Sequence, residues 1–221
     1  MHVVPIEVNY IQHCGSDLSV VNAARVSFDK ESTWVPKADG WFINGMELSE
    51  KDQKLVSYLA SHGHISPFHH TFITMRIKAP IFVARQLVKH KFMPWNEVSR
   101  RYVDKEPEFY FPSAWRERSV DKKQGSGGIL DYTVDPRACL FALQTYLDAV
   151  RNGVAPEQAR MVLPQNTMTE WYWSGTLSAW TSMLNLRLKT DTQQETREVA
   201  QKVYEIVKDL FPVSTKALVN G

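Results

Sequence analysis

Thr71-Phe72-Ile73-Thr74-Met75-Arg76-Ile77-Lys78-Ala79-Pro80 decides how the rest of this chain is arranged. Ile73, Met75 and Ile77 alternate with Thr74, Arg76 and Lys78, the period of two that sends side chains to opposite faces of a strand. Pro80 lacks an N–H and holds φ near the helical value, so it fits the first turn of a helix expected to run to about His90. That helix puts Arg85 and Lys89 one turn apart on a single face. Residues 92–102 then read as an irregular polar loop. Across 85–102, Arg85, Lys89, Lys91, Arg100 and Arg101 stand against Glu97, five positive charges less one negative, or +4, while the whole 221-residue chain is +2. Gln86, Asn96, Ser99 and Tyr102 are interleaved with them. Cations neutralise a phosphate and short polar groups read the ring attached to it, so this segment suits a phosphate-bearing small molecule. The alternative is a solvated charged face.

Working outward, Val3 to Tyr10 reads as a strand and Asp17 to Ser27 as a helix with Leu18, Val21 and Ala24 on one side. Residues 28–48 are turn-rich, with Trp34, Pro36, Gly40 and Gly45. Ser49 caps a helix over 50–62, with Leu55, Val56 and Leu59 inward and Gly63 ending it. Gly125-Ser126-Gly127-Gly128 resembles a phosphate loop only superficially, because it precedes no strand–helix unit; 121–134 is read as a flexible surface loop. Asp135 and Pro136 open a helix over 136–152 that turns Leu140, Leu143, Leu147 and Val150 inward. A short helix over 156–163 ends at Pro164, and Thr167 to Ser174 is too rich in β-favouring aromatics to be assigned as helix. A helix over 177–188 follows, and Thr192 with Glu195 forms a capping box for a last helix over 193–210, with Val199, Val203, Ile206 and Leu210 on one face. With no repeat and no interior linker, the chain is expected to be one α+β domain over 1–221.

A chain of this length can bury a substantial core, and its near-neutral charge argues against a general nucleic-acid coat protein. It has no run of eighteen apolar residues and its first residues are unlike a signal peptide, so a cytoplasmic protein with no membrane role is expected. Cys14 and Cys139 provide neither a disulfide framework nor metal-ligand spacing. His62, His64, His69 and His70 lie within nine residues; a metal site competes here with flavin- or phosphate-contacting or capping roles, and no metal is assigned because no Cys, Asp or Glu accompanies them. Cys139, among apolar neighbours, is read as core and not as a nucleophile. Arg160 in Ala159-Arg-Met-Val-Leu-Pro164 and Arg187 in Leu184-Asn-Leu-Arg187 are each flanked by aliphatic residues. Each must find an anion, a carbonyl or an internal carboxylate, because guanidinium does not lose its charge.

Lys89-His90-Lys91, seven residues, Ser99, then Arg100-Arg101-Tyr102 resembles the Arg-His-Arg…Ser mark of the flavin-dependent thymidylate synthases. Asn22-Ala-Ala-Arg-Val-Ser-Phe28, His62-Gly-His-Ile-Ser-Pro-Phe68, Lys78-Ala-Pro-Ile-Phe-Val-Ala-Arg-Gln86 and the two arginine segments above also look like that family's, in order, over roughly 15–210. The resemblance implies a helix-flanked β-sheet that is not a Rossmann fold. It implies methylation of dUMP to dTMP with 5,10-methylenetetrahydrofolate as carbon donor and NADPH as reductant through FAD, in a homotetramer with shared sites. Residue by residue, it implies that Arg187 polarises the pyrimidine. It implies dUMP binding by Arg85, Gln86, Lys89, Glu97, Val98, Ser99, Arg100, Arg101, Arg160 and Arg187. It implies FAD contacts by His64, Ser66, Lys89, His90, Lys91, Glu97, Thr176, Ser178 and Ser182.

The departures from the family pattern are specific. Lys89 and Lys91 stand where arginines are usual, keeping charge but losing the two-pronged planar grip. Arg100 and Pro94 replace small residues, and Thr176 and Ser178 stand where Asn and Arg often reach FAD. A divergent, viral branch (with a host's cytoplasm as compartment) accords with the set. Two rival readings remain at this level: a basic nucleotide- or single-strand-binding module stacking bases on Trp95 and Tyr102, and an inactive relative.

Overall fold

The computed structural model describes residues 1–37, 45–120 and 125–219. Its strands are β1 (His2–Val3), β2 (Glu7–Cys14), β3 (Val35–Pro36), β4 (Met46–Glu47), β5 (Phe72–Pro80), β6 (Trp95–Glu97), β7 (Glu108–Phe109) and β8 (Met168–Thr176). Its α-helices are α1 (Asp17–Arg25), α2 (Glu50–Ser61), α3 (Ile81–Leu87), α4 (Arg137–Arg151), α5 (Pro156–Ala159), α6 (Leu177–Arg187), α7 (Gln194–Leu210) and α8 (Pro212–Leu218). The main sheet runs β2-β5-β8-β6, with every neighbouring pair antiparallel.

The alternation read in 71–80 sets one face of that sheet. Ile73, Met75, Ile77 and Ala79 are fully buried, opposite Gly175, Trp173, Trp171 and Thr169 of β8. Thr74, Arg76 and Lys78 take the other face, where Arg76 pairs with Glu170 (2.7 Å) and Thr74 meets the Ser174 hydroxyl (3.0 Å). The aromatics that argued against a helix over 167–174 form the partner strand. Trp171 stacks on Trp95 (ring centroids 4.3 Å apart), Trp173 meets Trp180 edge-on (4.9 Å), and the Trp180 indole N–H donates to the Ile73 carbonyl (3.3 Å). Each buried tryptophan contributes on the order of 5 kcal/mol of apolar burial, so this cluster holds β5, β6, β8 and α6 together.

Helices cover that apolar face. Val199, Val203 and Val207 of α7 are fully buried, with Ile206 and Leu210 partly so; the expected stripe is present, its centre turned slightly towards Ala200 and Val207. α8, which the sequence reading lacks, is capped by a distant residue: Asp17 accepts the Val213 and Ser214 N–H groups, each at 2.9 Å. Asp52 ties α1 to α2, accepting from Arg25 (2.5 Å), Ser32 (3.0 Å) and Ser49 (2.7 Å). Burial would raise its carboxyl pKa, but these donors outweigh that effect and hold it below the usual range.

Several expected boundaries change. The first strand divides, because His2–Val3 pairs in parallel with β7 while β2 starts at Glu7. The first helix stops at Arg25 and continues as a 3-10 turn over Val26–Phe28. α3 stops at Leu87, not His90, and the loop after it contains β6. The helix expected over 156–163 is α5 followed by a 3-10 turn over Arg160–Val162. In α4, Leu143 and Tyr146 are buried whereas Leu140 faces outward. The Thr192–Glu195 capping box does not form: Thr192 donates to the Leu186 carbonyl (3.2 Å), and the Glu195 carboxylate is drawn to Arg116 (2.5 Å), a stronger, charged partner.

Of the turn-rich 28–48 stretch, Gly40 lies outside the described residues, and β3 and β4 pair antiparallel on either side. Asp121-Lys122-Lys123 likewise lies outside them. Gly125–Gly128 is not a free loop: Gly127 donates to the Glu117 carbonyl (2.8 Å) and Glu117 to that of Gly128 (2.9 Å). No helix among the described residues is long and apolar enough to cross a membrane.

Candidate active site

Where β5 passes into α3 and β6 runs out into the 98–105 segment, a cavity of about 580 Å³ opens. Arg85 reaches it from α3, Glu97 to Arg101 from the end of β6, and Arg160 from the 3-10 turn after α5. The Ser99 hydroxyl accepts from the Arg101 backbone N–H (3.3 Å) and Nε (3.1 Å), closing a tight turn, and Val98 anchors it by donating its N–H to the Glu170 carbonyl (2.8 Å). Arg100 donates to the Lys105 carbonyl (2.8 Å) and Arg160 to that of Glu157 (3.2 Å).

Charge in this cavity is unbalanced. Three of its carboxylates are already paired: Glu108 with Lys78 (2.7 Å), Glu170 with Arg76 (2.7 Å), and Glu106 with the N-terminal amine (3.8 Å). Glu97 accepts from the Thr169 hydroxyl (2.7 Å) and the Trp95 indole (3.1 Å). Among the described residues no carboxylate pairs with Arg85, Arg100, Arg101, Arg160 or Lys105. Five cations less Glu97 leave +4 in a surface-open cavity, which favours a multiply charged anion.

Arg187 and Gln86, expected beside these cations, lie outside this cavity's lining. Successive residues on a helix project about 100° apart, so Arg85 and Gln86 serve different sides of α3. The Gln86 amide donates to Gln193 and its carbonyl oxygen accepts from Thr196 (3.2 Å). Arg187, at the end of α6, donates through Nε to His90 Nε2 (3.0 Å) and through an Nη to the Gln86 backbone carbonyl (3.0 Å). Its other Nη has no partner among the described residues. His90 also lies beside Trp173, with ring centroids 6.2 Å apart. Burial first, then the Arg187 charge, pushes the His90 pKa down to about 4, and burial lowers that of Arg187 from its ordinary value. His90 is therefore neutral near pH 7 and accepts from Arg187.

The expected flavin contacts divide: Thr176, Ser178 and Ser182 lie at the far end of β8 and on α6, whereas Glu97 lines the cationic cavity and His90 holds Arg187. His69 Nδ1 lies 3.3 Å from the Thr176 hydroxyl, which caps α6 by accepting the Ala179 N–H (3.3 Å). His64 and Ser66 are exposed just before His69, and the His64 ring meets Tyr58 edge-on. A Cβ on Gly175 would come within 3.2 Å of the Met93 side chain, so glycine there lets the segment after Lys91 cross β8 next to Thr176. Lys89 and Lys91 are exposed; Ser178 is buried, and Ser182 donates to its carbonyl (2.8 Å). The exposed cations and hydroxyls next to this glycine crossing fit the phosphates and polar edge of a flavin dinucleotide. Ser178, buried, is the poorest fit in that set.

Two other expectations change. Cys139 is half-buried in the wall of a second cavity, beside Asn166 (3.5 Å), instead of in the core. Trp95, which a base-stacking reading needs free, is stacked on Trp171. The residues that sequence reasoning missed, Gln193 and Thr196 around Gln86, carry no local signal because they lie on a helix more than a hundred residues downstream.

A family model described as thymidylate synthase complementing protein matches residues 9–213. The chain belongs to the flavin-dependent thymidylate synthase family. It is 34% identical over 213 residues to the flavin-dependent thymidylate synthase of Thermosipho africanus, covering 93% of this chain and 87% of that one. It is 36% identical over 217 residues to that of Thermus thermophilus, covering 95% and 74%. Among solved structures it resembles the UMP/dUMP methylase PolB from Streptomyces cacaoi bound with 5-Br dUMP, with TM-score 0.79, 28% identity and coverage of 98% and 96%. His90, with exposed Lys89 and Lys91 on either side, lies beside Arg187 and Trp173.

Proposed function

We propose that this chain makes dTMP from dUMP, holding the nucleotide phosphate in the cavity bounded by Arg85, Ser99, Arg100, Arg101 and Arg160. The observation that carries this reading is the convergence of four guanidinium groups from three separate segments, none paired with a carboxylate, in a chain of this family. FAD, when bound, supplies reducing equivalents that NADPH restores, and 5,10-methylenetetrahydrofolate supplies the carbon. The chain's own contribution is placement and charge. Arg187, fixed by His90 and the Gln86 carbonyl, keeps one Nη free to face the pyrimidine and favour its ionised form; a fixed cation beside developing negative charge is worth on the order of 3 kcal/mol. Neither cysteine lines the Arg85 cavity, which leaves this electrostatic route as the one its residues support.

The nucleotide set lies at the Pro80–Met168 end of the β5–β8 pair and the Thr176 set at the other end, about 27 Å away for strands of this length. A second copy laying its Thr176 end against this protomer's cationic cavity would join the two, which supports a homotetramer with shared sites. A nucleotide substrate and a family of metabolic enzymes support the cytoplasm as its compartment.

The purified protein is expected to be yellow or to take up FAD, to oxidise NADPH faster when dUMP is added, and to sediment at four times the 25.4 kDa chain mass. Colourless protein that ignores FAD, or NADPH oxidation indifferent to dUMP, would overturn the reading.

A further inference from the structure

The family resemblance assigns Gln86 to the nucleotide, yet both ends of its side-chain amide are engaged by α7. The amide nitrogen donates to the Gln193 side-chain carbonyl, and the amide oxygen accepts from the Thr196 hydroxyl (3.2 Å). Thr196 is fully buried. A threonine inside a helix ordinarily turns its hydroxyl back to a carbonyl of the preceding turn, whereas this one reaches across to α3. Its branched Cβ leaves few rotamers, so the hydroxyl is aimed stiffly. Gln193 stands at the N-cap of the same helix, three residues earlier, and the two close on Gln86 together.

The main chain of Gln86 has a second role. Had α3 run on to His90, the His90 N–H would take the Gln86 carbonyl; α3 stops at Leu87, and that N–H goes to the Leu87 carbonyl instead (3.1 Å). The Gln86 carbonyl is one of the acceptors that a helix leaves open at its C-terminal end, and Arg187 fills it at 3.0 Å. One residue therefore faces α7 with its side chain and seats Arg187 with its main chain. Fixing the amide to α7 also fixes the direction of the carbonyl, because both are borne on the last turn of a seven-residue helix. We propose that Gln193 and Thr196 are positioning residues for the reaction, holding the end of α3 so that its Gln86 carbonyl keeps Arg187 aimed at the pyrimidine. The target of Arg187 rests on the proposed function, whereas the hold on Arg187 does not. A purely structural contact between α3 and α7 would cost only stability when removed.

The test uses the full-length protein carrying Thr196→Val, which keeps the shape and removes the donor, Gln193→Leu, or Thr196→Ser, which keeps the donor. Modification of individual arginines by phenylglyoxal, read by peptide mass spectrometry, reports how firmly Arg187 is held and needs neither substrate nor flavin. Arg187 is expected to react about threefold faster in Thr196→Val and in Gln193→Leu, a factor in the range that one neutral hydrogen bond contributes. It should react at the parent rate in Thr196→Ser, and Arg85 and Arg160 should be unchanged throughout. Turnover at saturating dUMP should fall about three- to tenfold in the first two variants while the dUMP dissociation constant stays within about twofold, and Thr196→Ser should restore it. A misaimed cation gives less help in ionising the pyrimidine, so activity in those two variants should also lean further towards alkaline pH than the parent's. Unchanged Arg187 reactivity, reactivity raised equally at Arg85 and Arg160, or turnover and affinity lost in step with an unaltered pH profile overturns the inference. A freed Arg187 in a chain that leaves dUMP unmethylated removes the proposed reaction and spares the hold of α7 on Arg187. Parent-like turnover in both variants removes the inference alone.

Discussion

Arg85 projects from α3 and Arg187 is bonded to the same helix, but their surroundings differ in kind. Arg85 shares an open cavity with Arg100, Arg101 and Arg160, none of them held by a carboxylate. Arg187 is half-buried and held by two hydrogen bonds that it donates, to His90 and to the Gln86 backbone carbonyl. Cations at the surface remain hydrated until an anion arrives, so they can gather at little cost and give affinity. A guanidinium taken out of water must be supported by its neighbours, and that support fixes its direction. The first region is built to bind and the second to position.

The sharpest test of that division is Arg187→Ala. If Arg187 acts chiefly on charge that develops during reaction, turnover should fall about 100- to 1,000-fold while the dUMP dissociation constant moves by less than about threefold. Single-turnover kinetics and calorimetry separate the two. Equal losses in both would place Arg187 among the binding cations and erase the distinction.

Arg85→Ala and Arg160→Ala should behave in the opposite way. A charge-assisted hydrogen bond to phosphate is worth about 1.5–3 kcal/mol, so each change should weaken dUMP binding roughly 10- to 100-fold and reduce its salt dependence. Turnover at saturating dUMP should stay within about threefold of the parent. Smaller again is the effect expected from restoring the family's arginines. Lys89→Arg with Lys91→Arg should tighten FAD severalfold by adding planar donors at exposed positions, read by quenching of flavin fluorescence. FAD affinity unchanged by the pair would remove Lys89 and Lys91 from the flavin contacts.

The two regions were also unequally legible in the sequence. Arg85, Ser99, Arg100, Arg101 and Arg160 stand out because unpaired cations near small polar groups are a compositional signal, and β5 could be read because alternation is local. The fixing of Arg187 could not be placed, since its partners His90 and Gln86 lie 97 and 101 residues upstream and only the packing of α6 beside α3 brings them together. The same holds for Arg116 and Glu195, 79 residues apart, whose ion pair overrode a plausible capping box. β6 was hidden because three residues give no period, and α8 because the donors it presents are satisfied by Asp17, nearly two hundred residues upstream. Recognisable motifs pointed to the cationic segments; long-range packing decided which residues were held and which were left without a carboxylate.

The last and smallest effect tests whether Arg187 depends on a neutral imidazole. His90 has a folded pKa of about 4 against an ordinary 6.5, so between those values the unfolded chain binds a proton that the folded chain does not. Its contribution to stability is therefore undiminished above about pH 6.5, declines as pH falls through that window, and changes no further below about 4. His90→Gln retains an acceptor for Arg187 Nε but does not titrate. The parent should lose several degrees more in melting temperature than His90→Gln on going from pH 7 to pH 4.5, while turnover at pH 7.5 stays within about tenfold. Parallel melting curves through the window would mean that Arg187 is held by the Gln86 carbonyl alone, and the positioning region would shrink to a single hydrogen bond.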